Sequence, residues 1–481
     1  MVVMKLNLFD TIAAIATPTG ESGIGIVRIS GKDALKIADK IFVSKDGKKP
    51  SAFKTYTVHY GWIVENQKSK ISARGGFAFG EKNQKLDVVD EVILTVMRAP
   101  KSYTRQDIVE INCHGGIIPL RKTLELVLES GARLAKPGEF TQRAFLNGRI
   151  DLAQAEAVLD IVRAKTDSAL RIGVEQLKGG LSKRLNQLRN KLLEPLTILE
   201  ANIDFPEEDL ETAKINNIAA SLEEVNQRLG CLLDNSRRGR VFREGIKVVI
   251  CGKPNVGKSS LLNALLKCER SIVTPIPGTT RDTIEEIIDI RGIPIRIVDT
   301  AGIIEPRDLI EKKAVSRSQR YIREADLVLL VFDGTRNISY EDEVLMRKIK
   351  SKPTLALINK IDRKLKIKRQ RIIQRFQRVV DISAKKKKNI NLLEEAIAQF
   401  VFSGKIESGE PVWLTNLRHI QQLKRAQRAI LRAEKSANKN LPFEFIAQDI
   451  KEAIGFLDEI LGRRFSEDLL DRIFSEFCIG K

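Results

Sequence analysis

The stretch GKPNVGKSSLLNALL, Gly252 to Leu266, carries the spacing G-x-x-x-x-G-K-S. Each fixed position in it suits contact with a phosphate. Glycines let the backbone fold around an anion. The successive N–H groups of Asn255, Val256, Gly257 and Lys258 then direct positive potential inward, reinforced by a helix N-terminus. Lys258 has the reach for the β and γ oxygens of a nucleoside triphosphate, and Ser259, with Ser260 beside it, offers a hydroxyl to Mg2+. The context agrees, because IKVVICG before the loop is a β-branched run and LLNALL after it is helical in pattern.

Three further pieces follow in the order this chemistry needs. IRIVDTAG predicts a strand ending at Asp299, placed to hold the Mg2+ shell, with Thr300, Ala301 and Gly302 next in line to meet the γ-phosphate. ADLVLLVFDG predicts another buried strand, and TLALINKID one that ends in Asn359-Lys360-Ile361-Asp362. A carboxylate at Asp362 accepts from both N1 and the exocyclic amine of guanine. Adenine lacks that pair of donors, and unpaired polar groups penalise the wrong base. Ser383-Ala384-Lys385, after the strand RVVDI, fits the loop that closes on the base. The ordered set resembles the small GTPase family.

Between the first two motifs lies TPIPGTTRD, in which Thr274, Thr279 and Thr280 are small and hydroxylic. Such residues suit a switch loop that orders around the γ-phosphate and Mg2+, with Ser259 and Thr280 as metal ligands. Arg281 beside it has the charge of an arginine finger and equally the placing of a structural residue. After DTAG comes Ile303, where many regulatory GTPases carry a water-orienting glutamine, so hydrolysis draws its help from elsewhere.

The elements that position these residues fall into distinct stretches. The first 120 residues alternate in strand fashion (GIGIVRIS, TVHYGWIV, DEVILTVMR, DIVEINCH), predicting an α+β domain. Long helical patterns fill roughly 120–240 and resume at about Trp413, so a P-loop α/β domain is inserted into an all-α one. The expected boundaries are 1–121, 122–243 (helical, first part), 244–402 (GTPase) and 403–481 (helical, second part). A chain of 481 residues and 54.0 kDa accommodates these. No run of 18 apolar residues appears, which argues against a membrane span. The N-terminus reads as mature sequence rather than a signal peptide, and five scattered cysteines fit a reducing cytoplasm. A net charge of +20 makes a polyanionic partner reasonable, whereas 5% aromatics argues against base-stacking platforms.

The chain closes on FCIGK. A prenylated terminus fits poorly, since Gly480 is not aliphatic and Lys481 is unusual in last place. A frayed helix end and a docked functional tail remain. Here the resemblance becomes close: GIGIVRISG, SYTRQDIVEINCHGG, PGEFTQRAFLNGRIDLAQAEAV, the GTPase motifs and FCIGK together resemble the tRNA modification GTPases of the MnmE (TrmE) family over essentially the whole length.

The resemblance implies a homodimer formed through an N-terminal domain that binds 5-formyl- or 5,10-methylene-tetrahydrofolate. It implies a heterotetramer with the FAD-dependent MnmG (GidA) partner and installation of a carboxymethylaminomethyl- or aminomethyl-type group on C5 of the wobble uridine of certain tRNAs. Folate contacts would fall on Arg28, Glu110, Arg149 and Lys481, an arginine fork and a carboxylate suiting the glutamate tail and pterin edge. A K+ ion would be held by Asn255, Thr274, Ile276 and Thr279, acting where an arginine finger acts. Glu311 would orient the hydrolytic water indirectly, and Cys478 would be the thiol of a reactive arm docked through Leu469, Ile473 and Phe477. The chain departs from the family pattern at Ile304, Ala314, Arg105-Gln106 and Arg149, and has KKKN after Ser-Ala-Lys in place of a glycine-rich link. The basic region from Arg363 to Lys388 reads as a solvated face or as a tRNA contact.

Two other functions compete with this one. A GTP-switched ribosome assembly factor would share the GTPase core but append an RNA-binding KH module with a G-x-x-G loop, which neither flank supplies convincingly. A folate-dependent transferase acting alone would use the GTPase only for regulation.

Overall fold

The computed structural model describes residues 10–65, 87–205, 212–268, 286–299, 320–401, 413–439 and 441–481. The chain forms two compact units, one of residues 1–159 with 461–481, the other of residues 160–460.

The first unit is built on a seven-stranded sheet ordered β3-β4-β5-β6-β2-β1-β7. Its strands are β1 (Ile12–Ile15), β2 (Gly25–Ser30), β3 (Phe42–Ser44), β4 (Thr57–Val64), β5 (Val88–Met97), β6 (Ile108–Cys113) and β7 (Arg133–Leu134). All pairs are antiparallel except β1 with β7. Strand periodicity explains the layering, because successive side chains point to opposite faces. Val27, Ile29, Val109 and Ile111 lie in the core with the helices Ala34–Ile41 and Ile117–Glu129, whereas Arg28 and Glu110 alternate out of it. Residue 121, the expected domain boundary, falls inside the second of these helices.

The last helix, Glu467–Phe474, also belongs to this unit. The expected docking residues Leu469, Ile473 and Phe477 all pack on one cluster, in which Leu470 and Phe474 go deeper than the first two. Leu470, Phe474 and Phe477 are buried, with Leu469 and Ile473 only partly so, and their partners are Ala144, Phe145, Ile150, Leu152, Ala155 and Leu159. The spacing marks the right side of the helix, but packing against a short helix pair turns the stripe toward Leu470 and Phe474.

The second unit contains a six-stranded sheet ordered β13-β12-β11-β8-β10-β9. These strands are β8 (Ile246–Cys251), β9 (Glu286–Ile290), β10 (Ile293–Asp299), β11 (Leu327–Asp333), β12 (Thr354–Asn359) and β13 (Val379–Asp381). Only the β9–β10 pair is antiparallel. Strands β8, β11 and β12 are almost wholly buried because both faces are covered, which is why their sequences read as unbroken apolar runs. Strand β8 lies between β10 and β11, so the order reverses there and the carboxyl ends of these strands form the crevice that an open α/β sheet offers a ligand.

The helices Asp167–Leu177, Gly180–Asp204, Thr212–Asp234 and Ser236–Glu244 precede the sheet, and Leu417–Asn438 and Phe443–Leu461 follow it. Ion pairs join the two groups, including Arg189 with Asp458 (2.7 Å) and Lys451 with Glu200 (2.8 Å). The α/β sheet is thus an insertion between two halves of a helical bundle.

Candidate active site

The phosphate loop leaves the carboxyl end of β8 and runs into the helix Lys258–Cys268. Gly257 has φ +102, and a Cβ there would meet Asn359 Nδ2 at 2.3 Å, so only glycine fits. Asn255 is also left-handed (φ +64), a conformation asparagine tolerates better than most residues. Lys258 is 8% exposed, and its ammonium donates to the carbonyls of Gly252 (3.0 Å) and Lys253 (2.9 Å), which fixes its charge inside the loop. Ser259 and Ser260 are exposed in the first turn of the helix, where N–H groups and hydroxyls converge. A Mg2+ ligand at Ser259 fits this placement.

The base-binding corner is tied to the loop by side chains. Asn359, 2% exposed, donates from Nδ2 to Val256 O (2.8 Å) and accepts at Oδ1 from Ala384 N–H (3.0 Å). Its amide joins the phosphate loop to the Ser383-Ala384-Lys385 loop. Lys360 donates to Asn255 O (2.7 Å) and to Asp333 Oδ2 (2.6 Å). Burial raises the Asp333 carboxyl's pKa, but hydrogen bonds from Lys360 and Thr335 carry it below the usual carboxylate range. Asp362 is exposed, and its Oδ1 accepts from Ser383 Oγ at 2.6 Å; that bond lowers its pKa, keeping it an acceptor at neutral pH. The carboxylate is therefore aimed by a buried serine, and Asn359 and Lys360 hold the two loops that must close on one nucleotide.

Asp299 is the last residue of β10 and lies in register with Ile250, at the carboxyl edge beside the phosphate loop. Thr274, Ile276, Thr279, Thr280, Thr300, Ala301, Gly302 and Glu311 lie outside the described residues.

A second group of functional candidates gathers in the first unit. Arg28 and Glu110 are register partners on β2 and β6, and Arg28 Nε donates to Glu110 Oε1 at 2.7 Å. Arg28 Nη1 donates to Gly480 O at 3.0 Å, and its guanidinium lies 5.7 Å from the Phe140 ring centroid. Phe140 N–H donates to Lys481 O (3.1 Å), and Gly138 N–H to Cys478 O (3.3 Å). The exposed Arg149 stacks 4.6 Å from the Tyr103 ring centroid, and Tyr103 OH bonds Thr141 Oγ1 (2.9 Å). Arg28 and the chain's last residues thus meet the helix Glu139–Leu146, which is linked to Glu110 through Arg28 and to Arg149 through Tyr103. Cys478 is exposed, in contrast to Cys113 and Cys251, whose thiols burial pushes up to about 11 and about 12.

That helix is held by residues the sequence did not single out. Arg143, fully buried, donates to Asp10 Oδ1 (2.5 Å), Asp10 O (2.8 Å) and Glu139 Oε1 (2.9 Å). Arg133 binds the same two carboxylates at 2.8 and 2.6 Å. Acidic and basic residues four apart in EFTQR were the available signal, but the partner Asp10 lies far away in sequence.

The parallel sheet, its phosphate loop and the Asn-Lys-x-Asp corner define a P-loop GTPase, an enzyme that hydrolyses GTP. Two family models together match nearly the whole chain: "MnmE helical domain" over residues 152–478 and "GTP-binding protein TrmE N-terminus" over residues 11–149. The tRNA modification GTPase MnmE of Desulforamulus reducens is 46% identical over 477 residues, covering 98% of this chain and 100% of the relative. That of Bacillus subtilis is 44% identical over 475 residues, at the same coverages. The chain belongs to the tRNA modification GTPase MnmE family. Among solved structures, Aquifex aeolicus Era bound to GDP and aluminium fluoride is 32% identical over 39% of this chain and 67% of that one, with a TM-score of 0.28.

Proposed function

We propose that this chain is a K+-dependent GTPase that acts on tRNA. With the FAD-dependent MnmG partner, it installs an aminomethyl-type group on C5 of the wobble uridine, using a one-carbon unit from tetrahydrofolate. The observation that carries this reading is the union, in one chain, of a GTPase site with the cluster of Arg28, Glu110 and the Cys478–Lys481 tail on the helix Glu139–Leu146. Its relatives carry the name tRNA modification GTPase.

The residues present suit the groups involved. Paired Arg28 and Glu110 offer a donor fork beside a carboxylate, as a ligand with a carboxylate tail and an amino-substituted ring edge requires. Arg149 adds a guanidinium over Tyr103, and Lys481 is held at the helix through its backbone oxygen on Phe140 N–H. The amide side chain of Asn255 is exposed on a loop whose backbone carbonyl is already engaged by Lys360, which suits a K+ ligand; Thr274, Ile276 and Thr279 would complete the set. Mg2+ would be held by Ser259 and Thr280, and Glu311 would orient the water. Bound K+ and Mg2+ would neutralise phosphate charge during hydrolysis.

A homodimer has support in the outer face of the β4–β5 pair. Val58 is 64% exposed, and Tyr60 and Ile93, which are register partners, are 43% and 44% exposed. Such an apolar stripe favours self-association. A cytoplasmic location accords with action on tRNA.

Equilibrium binding of 5-formyltetrahydrofolate separates this reading from a GTP-switched assembly factor. Saturable binding to the wild type, weakened at least tenfold in Arg28→Gln, supports the proposal. Failure of the wild type to bind reduced folate contradicts it.

A further inference from the structure

The stretch 363–388 contains twelve Lys and Arg residues and a single acidic residue, Asp381. A charge run of this kind is usually no more than a solvated face, but here the fold gathers it onto two adjoining loops. Strands β12 and β13 are parallel neighbours, so the loops leaving their carboxyl ends emerge side by side. Ile361 N–H donates to Ile382 O (3.2 Å), fastening one loop to the other.

Both loops are held in fixed shapes. In the first, Arg363 N–H bonds Lys360 O (3.0 Å) and Lys366 N–H bonds Gly334 O (2.8 Å). In the second, Ser383 and Lys388 exchange two backbone hydrogen bonds (3.1 and 3.0 Å), and Lys387 adopts a left-handed conformation (φ +51). Asn389 Nδ2 caps this turn by donating to Asp381 O (2.8 Å). The side chains of Arg363, Lys364, Lys366, Lys386, Lys387 and Lys388 are exposed and form no salt bridge among the described residues. Asp381 is engaged by Arg369 at 3.1 Å, and Asp362 lies close enough to Arg363 and Lys386 to interact with their charges, which leaves Lys364, Lys366, Lys387 and Lys388 as the cations free of an acidic partner in a salt bridge among the described residues.

We infer that these two loops form a docking surface for the sugar-phosphate backbone of a folded RNA. The inference rests on the reading that the chain acts on tRNA. Exposed cations without salt-bridge partners, held on an ordered frame, gain affinity by releasing phosphate counterions, with little ordering cost. Phe376, the aromatic ring of the region, is half-buried and packs near Phe332 (centroids 6.5 Å apart), so it provides no platform for stacked bases. A membrane surface fits less well. The only helix here, Arg369–Ile373, has five residues and buries Ile372, too little for an amphipathic face.

The test compares the full-length protein with Lys364→Gln/Lys366→Gln/Lys387→Gln/Lys388→Gln, measuring an unmodified tRNA transcript by fluorescence anisotropy across a KCl series. Each phosphate contact contributes about 0.7–0.9 to the slope of log K against log salt, so the slope should flatten by about 3 and affinity fall at least tenfold near ~0.15 M salt. A control with the same charge change elsewhere, Lys32→Gln/Lys36→Gln/Lys48→Gln/Lys54→Gln, should leave both nearly unchanged. Equal losses in the two variants would mean bulk charge alone and would overturn the inference. So would unchanged tRNA binding accompanied by lost binding to phosphatidylserine vesicles, which would assign the surface to a membrane. If the wild type modifies tRNA in cells while the loop variant binds it normally, only the surface assignment fails and the function stands.

Discussion

Arg28 and Gly480 lie 452 positions apart in sequence, yet Arg28 Nη1 donates to the Gly480 carbonyl at 3.0 Å. Gly480 has φ +93, and a Cβ there would meet Ile15 O at 2.4 Å. The tail is docked against the end of β1 and against Arg28 of β2. Its closest approach depends on the smallest residue.

Gly480→Ala should therefore displace the tail, since a left-handed alanine costs about 1–3 kcal/mol before the clash with Ile15 is counted. We expect tRNA modification to fall sharply while GTP turnover without tRNA changes less than twofold. Modification assays on the purified chain with its partner read the first, phosphate release the second. Cys478→Ser then separates thiol chemistry from mere positioning: lost modification implicates the exposed sulfur, and full modification restricts the tail to holding the site.

Guanine selectivity should reside in the Asp362 carboxylate, which Ser383 Oγ orients from 2.6 Å. Asp362→Asn should weaken GTP by roughly 1.5–3 kcal/mol and improve xanthosine triphosphate, whose C2 oxygen accepts from the new amide. Ser383→Ala should produce a smaller loss of GTP affinity without the gain for xanthosine triphosphate. Calorimetric titration of both nucleotides checks the pair, and unchanged affinities would place the base elsewhere.

For potassium, Asn255→Gly is the informative variant, because glycine accepts the +64° φ while deleting the amide. GTP turnover in matched KCl and NaCl should favour K+ strongly in the wild type and converge in the variant. Equal wild-type rates in the two salts would remove the role for K+.

Glu139, 1% exposed, is bonded to both Arg133 and Arg143. Burial opposes its ionisation, but the arginines and the Lys136 N–H outweigh that and hold its pKa below the usual value, as the arginines do for Asp10. Groups with depressed folded-state pKa contribute stability that is complete above their unfolded values of 4.5 and 3.8 and lost as pH falls through the folded ones. The first unit should accordingly lose stability below about pH 4. Glu139→Gln should cost about 3–5 kcal/mol at neutral pH and flatten that acid limb, read by denaturant titration at several pH values.

Much of this architecture was legible in the sequence. TVHYGWIV, IVEINC and LVLLVFD alternate or run apolar because each strand has one or two covered faces, and the structure places strands there. The phosphate loop and Asn-Lys-x-Asp corner were equally legible, since their chemistry fixes local spacing. Long-range partnerships were not. Nothing near Asn359 announces that its amide bridges Val256 to Ala384, and nothing near Arg143 points to Asp10. The last helix shows the same limit: Leu469, Ile473 and Phe477 mark a face that does pack, while the neighbour that covers it sends Leu470 and Phe474 deeper than the first two.

If this GTPase acts on tRNA as proposed, the wobble uridine carries its product. Mass spectrometry of tRNA nucleosides from a strain lacking the gene, with and without the wild-type chain restored, tests it most directly. Aminomethyl-type wobble uridines should vanish in the deletion and return on complementation. Identical nucleoside profiles in all three strains would contradict it.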